Sequence, residues 1–190
     1  MNLAFKRATF FAIFDKTKRN TNLNGDDTKV FAGLIGYINL SPANLVTEIG
    51  PVIILPPFQR TYISSNATGL LLKYALNLPS ESPSGLGLRR VVWKANTLDM
   101  ASVRLAERMG FRLEGISRWQ RALPPSKKEV GRIPREGDPR RDWVGRDTTI
   151  LAFCWDDWDD GGREKVKTQH GYAESEIGTT IWYYFRDSMS

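Results

Sequence analysis

Residues 89 to 119 read RRVVWKANTLDMASVRLAERMGFRLEGISRW, and this stretch decides the fold of the chain. Its β-branched and aromatic start predicts a strand. From Met100 to Met109 the apolar residues recur at helical spacing, and Asp99 stands where a helix N-cap is expected. Gly110 then predicts the end of the helix, because glycine readily adopts the left-handed conformation of a C-terminal cap. The alternating residues that follow predict another strand, so the stretch forms a strand–helix–strand unit.

Periodicity and turn residues predict further strands and one more helix around this unit. The run from Leu45 to Leu55 is nearly continuously apolar after Glu48, which predicts a central strand buried on both faces. The helix after it is expected to bury Tyr74 on its apolar side. The resulting order β-β-β-α-β-α-β-loop-β predicts a mixed α/β (α+β) sheet with helices on its faces. The strands are predicted at residues 5–14, 30–39, 45–55, 89–94, 111–118 and 147–155, and the helices at 64–76 and 99–109.

The composition is that of one globular domain. The chain has 190 residues, of which 41% are hydrophobic and 25% charged, and this length is enough to bury a core. No apolar run approaches the roughly 20 residues that a membrane span needs, and the N-terminus has no secretory pattern. We therefore expect a cytoplasmic protein with no membrane partner.

Cysteine and histidine usage excludes several kinds of site. Cys154 is the single cysteine, so an internal disulfide is excluded, and its apolar surroundings predict a buried structural thiol rather than a nucleophile. His170 is the single histidine and lies in a polar tail. Without a His/Cys cluster we expect neither a zinc site nor a Ser-His-Asp triad, and no metal.

Positive charge is concentrated in one segment. The formal net charge is +6, and residues 126 to 146 combine basic residues with Pro and Gly without periodicity, which predicts a long loop. Two interpretations stay open: a solvated insertion, and a lip that attracts an anionic ligand. A nucleic-acid partner is disfavoured, because few aromatic residues interleave with the charges. The basic residues are Lys127, Lys128, Arg132, Arg135, Arg140, Arg141 and Arg146.

Two segments together resemble a known family. The first is W-K-A-N-x-x-D-x-x-S-x-R-x-A-E-R-x-G-F-R-x-E-G-x-x-R over residues 93–118. The second runs from T-E-I-G at residues 47–50 to P-F-Q-R-T at residues 57–61. Their order and separation resemble the GNAT superfamily of acyl-CoA N-acyltransferases, and most closely the branch that includes ribosomal-protein N-acetyltransferases. The resemblance covers about residues 5 to 158.

The resemblance implies a GNAT-like domain at residues 1–158, with a mixed, mostly antiparallel sheet and flanking helices. Within it, residues 125–147 would be a basic Pro/Gly-rich loop insertion, and residues 159–190 would form a C-terminal extension of unknown structure. The usual first strand and two helices of the family have no counterpart in this sequence. We therefore expect either a truncated or mis-predicted gene product, or a partner that supplies these elements and their share of the acceptor pocket.

By resemblance, the loop before the helix at residue 64 binds acetyl-CoA as a co-substrate; if the basic segment is a lip, the phosphates of coenzyme A are an anionic ligand that it could attract. A helix N-terminus offers free N–H groups to phosphates, and in GNAT proteins this loop reads Gln/Arg-x-x-Gly-x-Gly/Ala. Here Tyr62 replaces the first glycine, and a side chain can obstruct close backbone approach. The alternative is an ordinary helix capped by Ser64 or Ser65. The implied cofactor-binding residues are Ile54, Leu55, Gln59, Arg60, Thr61, Tyr62, Ile63, Ser64, Ser65, Asn96 and Ser102.

Glu48, Asn96 and Ser102 are the candidates for the chemistry of acyl transfer. Amide formation needs a base for the amine, a polarised thioester and an acid for the leaving thiolate. By resemblance Glu48 faces the thioester as the base; its alternative role is to pair with an arginine across the sheet. Asn96 is implied to bind the pantetheine arm or to orient the acceptor. Ser102 is implied to lie near the sulfur, or else simply packs the helix, while Ala106 replaces the usual tyrosine acid.

The principal hypothesis is direct transfer of an acetyl group from acetyl-CoA to a primary amine in a ternary complex. The acceptor stays open between a small-molecule amine and a protein N-terminus. The alternative is a non-catalytic GNAT-like module that binds CoA or a partner protein, and a third hypothesis is a basic nucleic-acid binder. The aromatic run at residues 181–185 leaves open an added strand, a homodimer contact and a disordered tail. Glu114 and Arg118 are expected to pair and to carry no mechanism.

Overall fold

A computed structural model describes residues 8–21, 27–169 and 179–183, and one sheet of seven strands includes all three ranges. The mixed sheet, mostly antiparallel and accompanied by helices, confirms the predicted fold class. The strands are β1 (Ala8–Thr21), β2 (Asp27–Ser41), β3 (Val46–Ile54), β4 (Arg90–Asn96), β5 (Arg112–Leu123), β6 (Val144–Cys154) and β7 (Thr179–Tyr183); the helices are α1 (Ile63–Leu76), α2 (Met100–Met109), α3 (Trp155–Asp157) and α4 (Arg163–Gln169), with short 3-10 helices at Pro56–Phe58 and Pro125–Val130.

The strand order is β5-β6-β4-β3-β2-β1-β7. Only the central pair, β3 and β4, is parallel, and α1 forms the crossover between these two strands. At one edge the backbone of β7 pairs antiparallel with β1, from Thr179 opposite Asp15 to Tyr183 opposite Phe11. Of the aromatic run predicted at residues 181–185, the described part is therefore an added strand, and the remainder lies outside the described residues.

Helices α1, α2 and α4 contact one another and pack on one side of the sheet, here named the helical face. On this face Trp93, Phe111, Phe153 and Trp158 form a chain of ring contacts, with centroids 5.6, 5.7 and 6.0 Å apart. All four side chains are buried. Tyr37 also points to this face, because its hydroxyl donates to the carbonyl of Leu71 in α1. The apolar core of the protein therefore lies between the sheet and the three helices.

Both ends of α2 form as the sequence predicts. Asp99 is the N-cap, and its carboxylate accepts a hydrogen bond from the backbone N–H of Ser102 at 3.1 Å. Gly110 is the C-cap with φ of 102°, a left-handed conformation that a residue with a Cβ adopts only with strain. These two caps fix the length of α2 and thereby the position of the residues at its start.

Strands β3 and β4 diverge halfway along their length. They pair from Val46 and Arg90 to Ile49 and Trp93, and beyond this point each continues only beside its other neighbour. The expectation that β3 is buried on both faces is therefore wrong for its second half, where Ile53 is 49% exposed. The apolar sequence of β3 predicts that its whole length lies inside the sheet. Its neighbour β4 pairs with it only as far as Ile49, and the second half of β3 is therefore less covered.

Three smaller expectations are also corrected. Tyr74 is 38% exposed, whereas Leu71 and Ala75 of the same helix are buried, so Tyr74 lies at the border of the buried side of α1. Helix α1 has neither Ser64 nor Ser65 as its N-cap; Tyr62 holds that position, and its side chain makes no capping hydrogen bond to the helix. Glu114 pairs with Arg90 of β4 rather than with Arg118, because β5 and β4 lie on either side of β6.

Residues 159–169 pack on the same core. Val166 of α4 is buried, and α4 contacts α1 and α2. The basic segment at residues 125–147 begins with the 3-10 helix Pro125–Val130, and its end is already strand, because β6 starts at Val144. None of the described helices is long and apolar enough to cross a membrane.

Candidate active site

The divergence of β3 and β4 opens a cleft of about 360 Å³. Strand edges that face each other across it no longer bond to one another, so backbone groups on these edges are available to a ligand. The exceptions on β3 are Pro51, which has no N–H, and the carbonyl of Ile54, which accepts from Gln59. Polar side chains converge on this space, as expected of a ligand site. The charged and polar lining residues are Glu48, Lys94, Asn96, Asp99, Ser102, Gln120, Arg121 and Arg146.

Glu48 lies at the floor of the cleft, one residue before the strands part, and is 7% exposed. Its Oε2 accepts hydrogen bonds from Lys94 Nζ at 2.8 Å and from Asn39 Nδ2 at 2.9 Å. No donor among the described residues contacts Oε1. The predicted partner was an arginine; the observed one is a lysine on the neighbouring parallel strand. The carboxylate is thus held in place through one oxygen while the other stays available as an acceptor.

Ser102 and Asn96 both line the cleft, but their side chains are engaged differently. Ser102 Oγ accepts a hydrogen bond from the indole N–H of Trp93 at 3.0 Å, which leaves its own hydroxyl proton free to be donated. Asn96 donates from Nδ2 to the carbonyl of Val130 at 2.8 Å and accepts at Oδ1 from the N–H of Leu98 at 3.0 Å. Asn96 therefore ties the basic segment to the end of β4 and keeps one N–H for a ligand.

The loop before α1 has the free backbone donors that a phosphate needs. The first intrahelical bond runs from the N–H of Asn66 to the carbonyl of Tyr62 at 2.9 Å, so helix geometry leaves Ser64 and Ser65 without intrahelical acceptors. Gln59 Nε2 donates to the carbonyl of Ile54 at 3.0 Å and closes the loop onto the end of β3. Arg60 adopts the left-handed conformation with φ of 60°. The residues present therefore suit an anion at this helix end.

Tyr62 does not need the freedom of the glycine that it replaces. Its φ of −67° is ordinary for any residue. Its hydroxyl contacts the carboxylate of buried Asp15 and the hydroxyl of Thr17, each at 2.7 Å, both on β1. The phenol thus points to β1, and this side chain fixes the loop to that strand.

A larger cavity of about 630 Å³ lies at the other end of the parallel pair. Arg163 stands there between Glu81 at 2.9 Å and Asp159 at 3.5 Å and lies over the ring of Trp158. The charges of Arg163, Glu81 and Asp159 thus neutralise one another in the larger cavity. In the smaller cleft, Glu48 Oε1 and the separated edges of β3 and β4 can still accept or donate hydrogen bonds to a ligand. We therefore take the smaller cleft as the candidate active site.

Comparison with known proteins agrees with this geometry. The sequence matches the family model described as "Acetyltransferase (GNAT) domain" over residues 3–112, which is more than half of the chain. The chain belongs to the GNAT acetyltransferase family. Members of this family carry out acyl transfer, and GNAT acetyltransferases use acetyl-CoA. A sequence search of curated proteins gave no match.

Solved GNAT structures share the fold. A GCN5-related N-acetyltransferase from Brucella melitensis matches with a TM-score of 0.59 and 27% identity, over 84% of this chain and 57% of that one. An acetyltransferase from T. thermophilus matches with a TM-score of 0.55 and 23% identity, over 75% and 62%. The spermidine/spermine N-acetyltransferase SpeG from Vibrio cholerae matches with 0.54 and 14%, over 83% and 71%. The chain thus spans less than two thirds of the length of the first two proteins.

Several polar residues of the GNAT cleft had no site role in the sequence analysis. Lys94, Asp99, Gln120 and Arg121 line the cleft, and Asn39 donates to Glu48 beside it. Lys94 could have been found, because it lies two residues before Asn96 and so points to the same side of the strand. Arg121 could not, since its position depends on an irregularity in the pairing of β5 with β6. Arg146 was noted only as part of the basic segment.

One further group of potential ligands lies outside the GNAT cleft. Ligand atoms of Cys154, Asp156 and Asp157 lie within 4.8 Å of one another. Asp157 is already engaged, because it pairs with Arg112 at 2.8 Å and accepts from the N–H of Cys154 at 3.1 Å. Burial raises the pKa of the half-buried Cys154 thiol, which keeps it protonated near neutral pH and agrees with a structural role.

Proposed function

We propose that this GNAT protein transfers an acetyl group from acetyl-CoA to a primary amine, directly in a ternary complex. The observation that carries the proposal is the parting of β3 and β4 after Ile49 and Trp93, with Glu48 at the point where they separate. A thioester and an amine brought together in this cleft would react without a covalent acyl-enzyme. Acetyl-CoA supplies the activated acyl group; the chain supplies binding, a base and an acid.

At the cofactor end, the N–H groups of Ser64 and Ser65 would bind the pyrophosphate, and Gln59 holds their loop against β3. The edge of β3 from residue 50 to Ile54 would bond to the pantetheine arm in the manner of an added strand. Leu55, Thr61 and Ile63 shape the same turn, in which Thr61 Oγ1 accepts from the N–H of Ile63 at 3.3 Å.

Glu48 would act as the base. Oε1 would take the amine proton, directly or through a water, while Lys94 and Asn39 hold Oε2 and so orient the carboxylate. Asn96 would use its remaining N–H to orient the acceptor or the pantetheine arm. These roles make Lys94 a positioning residue and Glu48 a catalytic one.

Ser102, or a water, would protonate the leaving thiolate, and the serine oxygen would regain its proton from solvent. Because Trp93 donates to Ser102 Oγ, the serine proton is directed away from the indole and towards the cleft. The tyrosine that usually serves as the acid is replaced by Ala106, which is buried. Since a thiolate leaves readily near neutral pH, we expect Ser102 to contribute modestly, about tenfold or less, well below the usual range for general acids.

The class of acceptor is inferred from the chemistry of amide formation and from the names of the similar solved structures. Some solved neighbours act on small-molecule amines, as the name of SpeG states. A small-molecule amine is therefore the first class to screen, with a protein N-terminus second, which would fit the ribosomal-protein branch. We propose that this reaction takes place in the cytoplasm.

The test has a binding step and a turnover step. Calorimetric titration with acetyl-CoA and with desulfo-CoA should give micromolar binding of both, and thiol release should then identify acceptors from an amine panel. Glu48→Gln should lower kcat by about a hundredfold or more and remove the acidic limb of the kcat/KM profile. Glu114→Gln, whose carboxylate pairs with Arg90 outside the cleft, is the matched control. An unchanged pH profile for Glu48→Gln would refute the base assignment.

A non-catalytic GNAT-like module is the second candidate. Ala106 in place of the tyrosine, and Lys94 already paired with Glu48, are the observations that favour it. It predicts CoA binding without consumption of acetyl-CoA by any amine in the panel. Steady thiol release with one amine, lost in Glu48→Gln, would exclude this candidate.

A further inference from the structure

Arg121 and Arg146 are direct partners in the pairing of β5 with β6, and both line the candidate active site. Side chains directly opposite each other on antiparallel strands point to the same face and lie within contact range. Two guanidinium groups are therefore held side by side at the end of the cleft beyond Asn96. Like charges in this arrangement destabilise the sheet unless something of opposite charge lies between them.

No such charge is supplied by the part of the chain that the structure describes. Neither Arg121 nor Arg146 has a carboxylate within 4.0 Å, whereas Arg90, Arg112 and Arg132 of the same region each form an ion pair. The Nε of Arg146 is buried and has no hydrogen-bond partner among residues 8–21, 27–169 and 179–183. A buried guanidinium N–H is costly to leave without an acceptor.

The electrostatics of Arg146 agree with this picture. Burial and the neighbouring charge of Arg121 lower the pKa of Arg146, while the weaker influences of Asp99 and Glu48 act in the opposite direction. Those two carboxylates face the cleft, but neither forms an ion pair with the arginines. The cleft therefore has a basic end at Arg121 and Arg146 and an acceptor oxygen at Glu48.

The position of Arg121 depends on a bulge. Between Ser117, opposite Thr148, and Arg121, opposite Arg146, strand β5 has three residues where β6 has one. Trp119 within the bulge has φ of 54°, a conformation that costs a non-glycine residue free energy. Its N–H donates to Asp147 at 2.8 Å, which holds the bulge in place. Bulges beside active sites commonly redirect one side chain, and this one directs Arg121 to the cleft.

We propose that Arg121 and Arg146 bind an oxyanion of the acceptor, so that the amine acetylated at Glu48 also carries a carboxylate or phosphate group. The proposal rests on the proposed acetyltransferase function and narrows its acceptor class. Guanidinium groups bind carboxylates and phosphates through paired N–H donors, and such charge-assisted bonds are stronger than neutral ones. A polyamine, which carries only positive charge, would be repelled by the same pair.

The experiment compares acceptors that differ only in the anion. Glycine with glycinamide, β-alanine with β-alaninamide, and 2-aminoethyl phosphate with ethanolamine form matched pairs, and spermidine is the cationic comparison. We expect the anionic member of at least one pair to be preferred in kcat/KM by about tenfold to a hundredfold. In Arg121→Met and Arg146→Met this ratio should fall towards unity. Arg104→Met, an exposed arginine on α2, is the matched control and should keep the ratio.

Each outcome decides one part of the proposal. Equal turnover of both members of every pair, or spermidine as the best acceptor, would overturn the anion site and leave the acetyltransferase intact. If desulfo-CoA affinity fell by about tenfold or more in Arg121→Met, the arginines would serve the phosphates of CoA, and the proposal would fail.

A binding measurement separates failure of the site from failure of the enzyme. Without any turnover, the acids should still raise the melting temperature of the wild type more than their amides do, and Arg146→Met should abolish that difference. This result would support the anion site and refute the transferase function. If there is no turnover and the wild type shows equal shifts for acids and amides, the anion site and the transferase function both fail.

Discussion

On the helical face of the sheet, Trp93 and Phe153 pack against the helices with almost no exposed surface. On the opposite face, here named the far face, the same strands carry Glu48, Lys94 and Arg146, and Phe10 of β1 is 45% exposed. Neighbouring residues of one strand thus have different roles, because successive side chains point to opposite faces of the sheet. Stability depends on the helical face, and the far face is available for chemistry.

The difference explains how the protein can hold unsatisfied charge. A strained bulge and two adjacent arginines each cost stability. The ring chain and the buried aliphatic side chains on the helical face offset that cost, because burial of large apolar side chains is the main favourable contribution to folding. Substitutions on the two faces should therefore affect different measurements.

The strongest test of the difference in packing between the two faces is the same substitution, Phe to Ala, made on each face. Phe153→Ala should lower the free energy of unfolding by about 3–5 kcal/mol, because it removes a buried ring from a packed cluster. Phe10→Ala should cost less than about 1 kcal/mol, since nearly half of that ring is already in solvent. Denaturant titration of both variants measures the difference. Equal losses would mean that the far face is as well packed as the helical face.

A second comparison tests the ion pair at the floor of the cleft. Lys94→Met should cost about 1.5–3 kcal/mol, because it leaves the buried carboxylate of Glu48 without its charged donor. Lys167→Met is the control, since Lys167 pairs with Glu164 at the same 2.8 Å but on an exposed surface, and should cost about 0–0.5 kcal/mol. The double variant Glu48→Gln/Lys94→Met should lose less than the sum of its single variants. Strict additivity would show that the two side chains act independently.

A third substitution should have the opposite sign. Arg121→Met should stabilise the free protein by about 0.2–1 kcal/mol, because it relieves repulsion from Arg146 on the paired strand. Thermal unfolding in low-salt buffer is the suitable measurement, and added salt should reduce the gain. A loss of stability would show that Arg121 makes a favourable contact within the fold.

The smallest effect concerns the exposed pair of Arg90 and Glu114. The hydrogen bond from Arg90 holds the pKa of Glu114 below its ordinary value. Such a carboxylate contributes stability above its unfolded-state pKa and loses it as the pH falls through the lower folded-state pKa. Arg90→Gln should therefore be slightly less stable than the wild type at pH 7 and equal to it in strong acid. Denaturant titrations at several pH values measure this, and a difference that persists in acid would contradict it.

Sequence alone predicts the helical face well and the far face poorly. Asp99 and Gly110 fix α2 through local chemistry, so both caps follow from their neighbours in the chain. The sequence marks Glu48 as the one carboxylate at the start of the central strand, but its contact with Lys94 spans 46 positions and depends on strand register. The pairing of Arg121 with Arg146 also depends on the bulge in β5, and no local sequence pattern predicts that bulge. Contacts between distant strands are decided by pairing geometry, and the sequence does not state that geometry.

The bond from Tyr62 to Asp15 has a consequence for the thermodynamics of ligand binding. A loop with glycine at this position samples many conformations and loses that freedom when a ligand arrives. Here the phenol fixes the loop to β1 before any ligand is present, so the entropy is lost during folding instead. Preorganisation of this kind slows dissociation more than it speeds association. Tyrosine in place of glycine therefore makes the loop less adaptable, and we expect a ligand bound by this loop to dissociate more slowly.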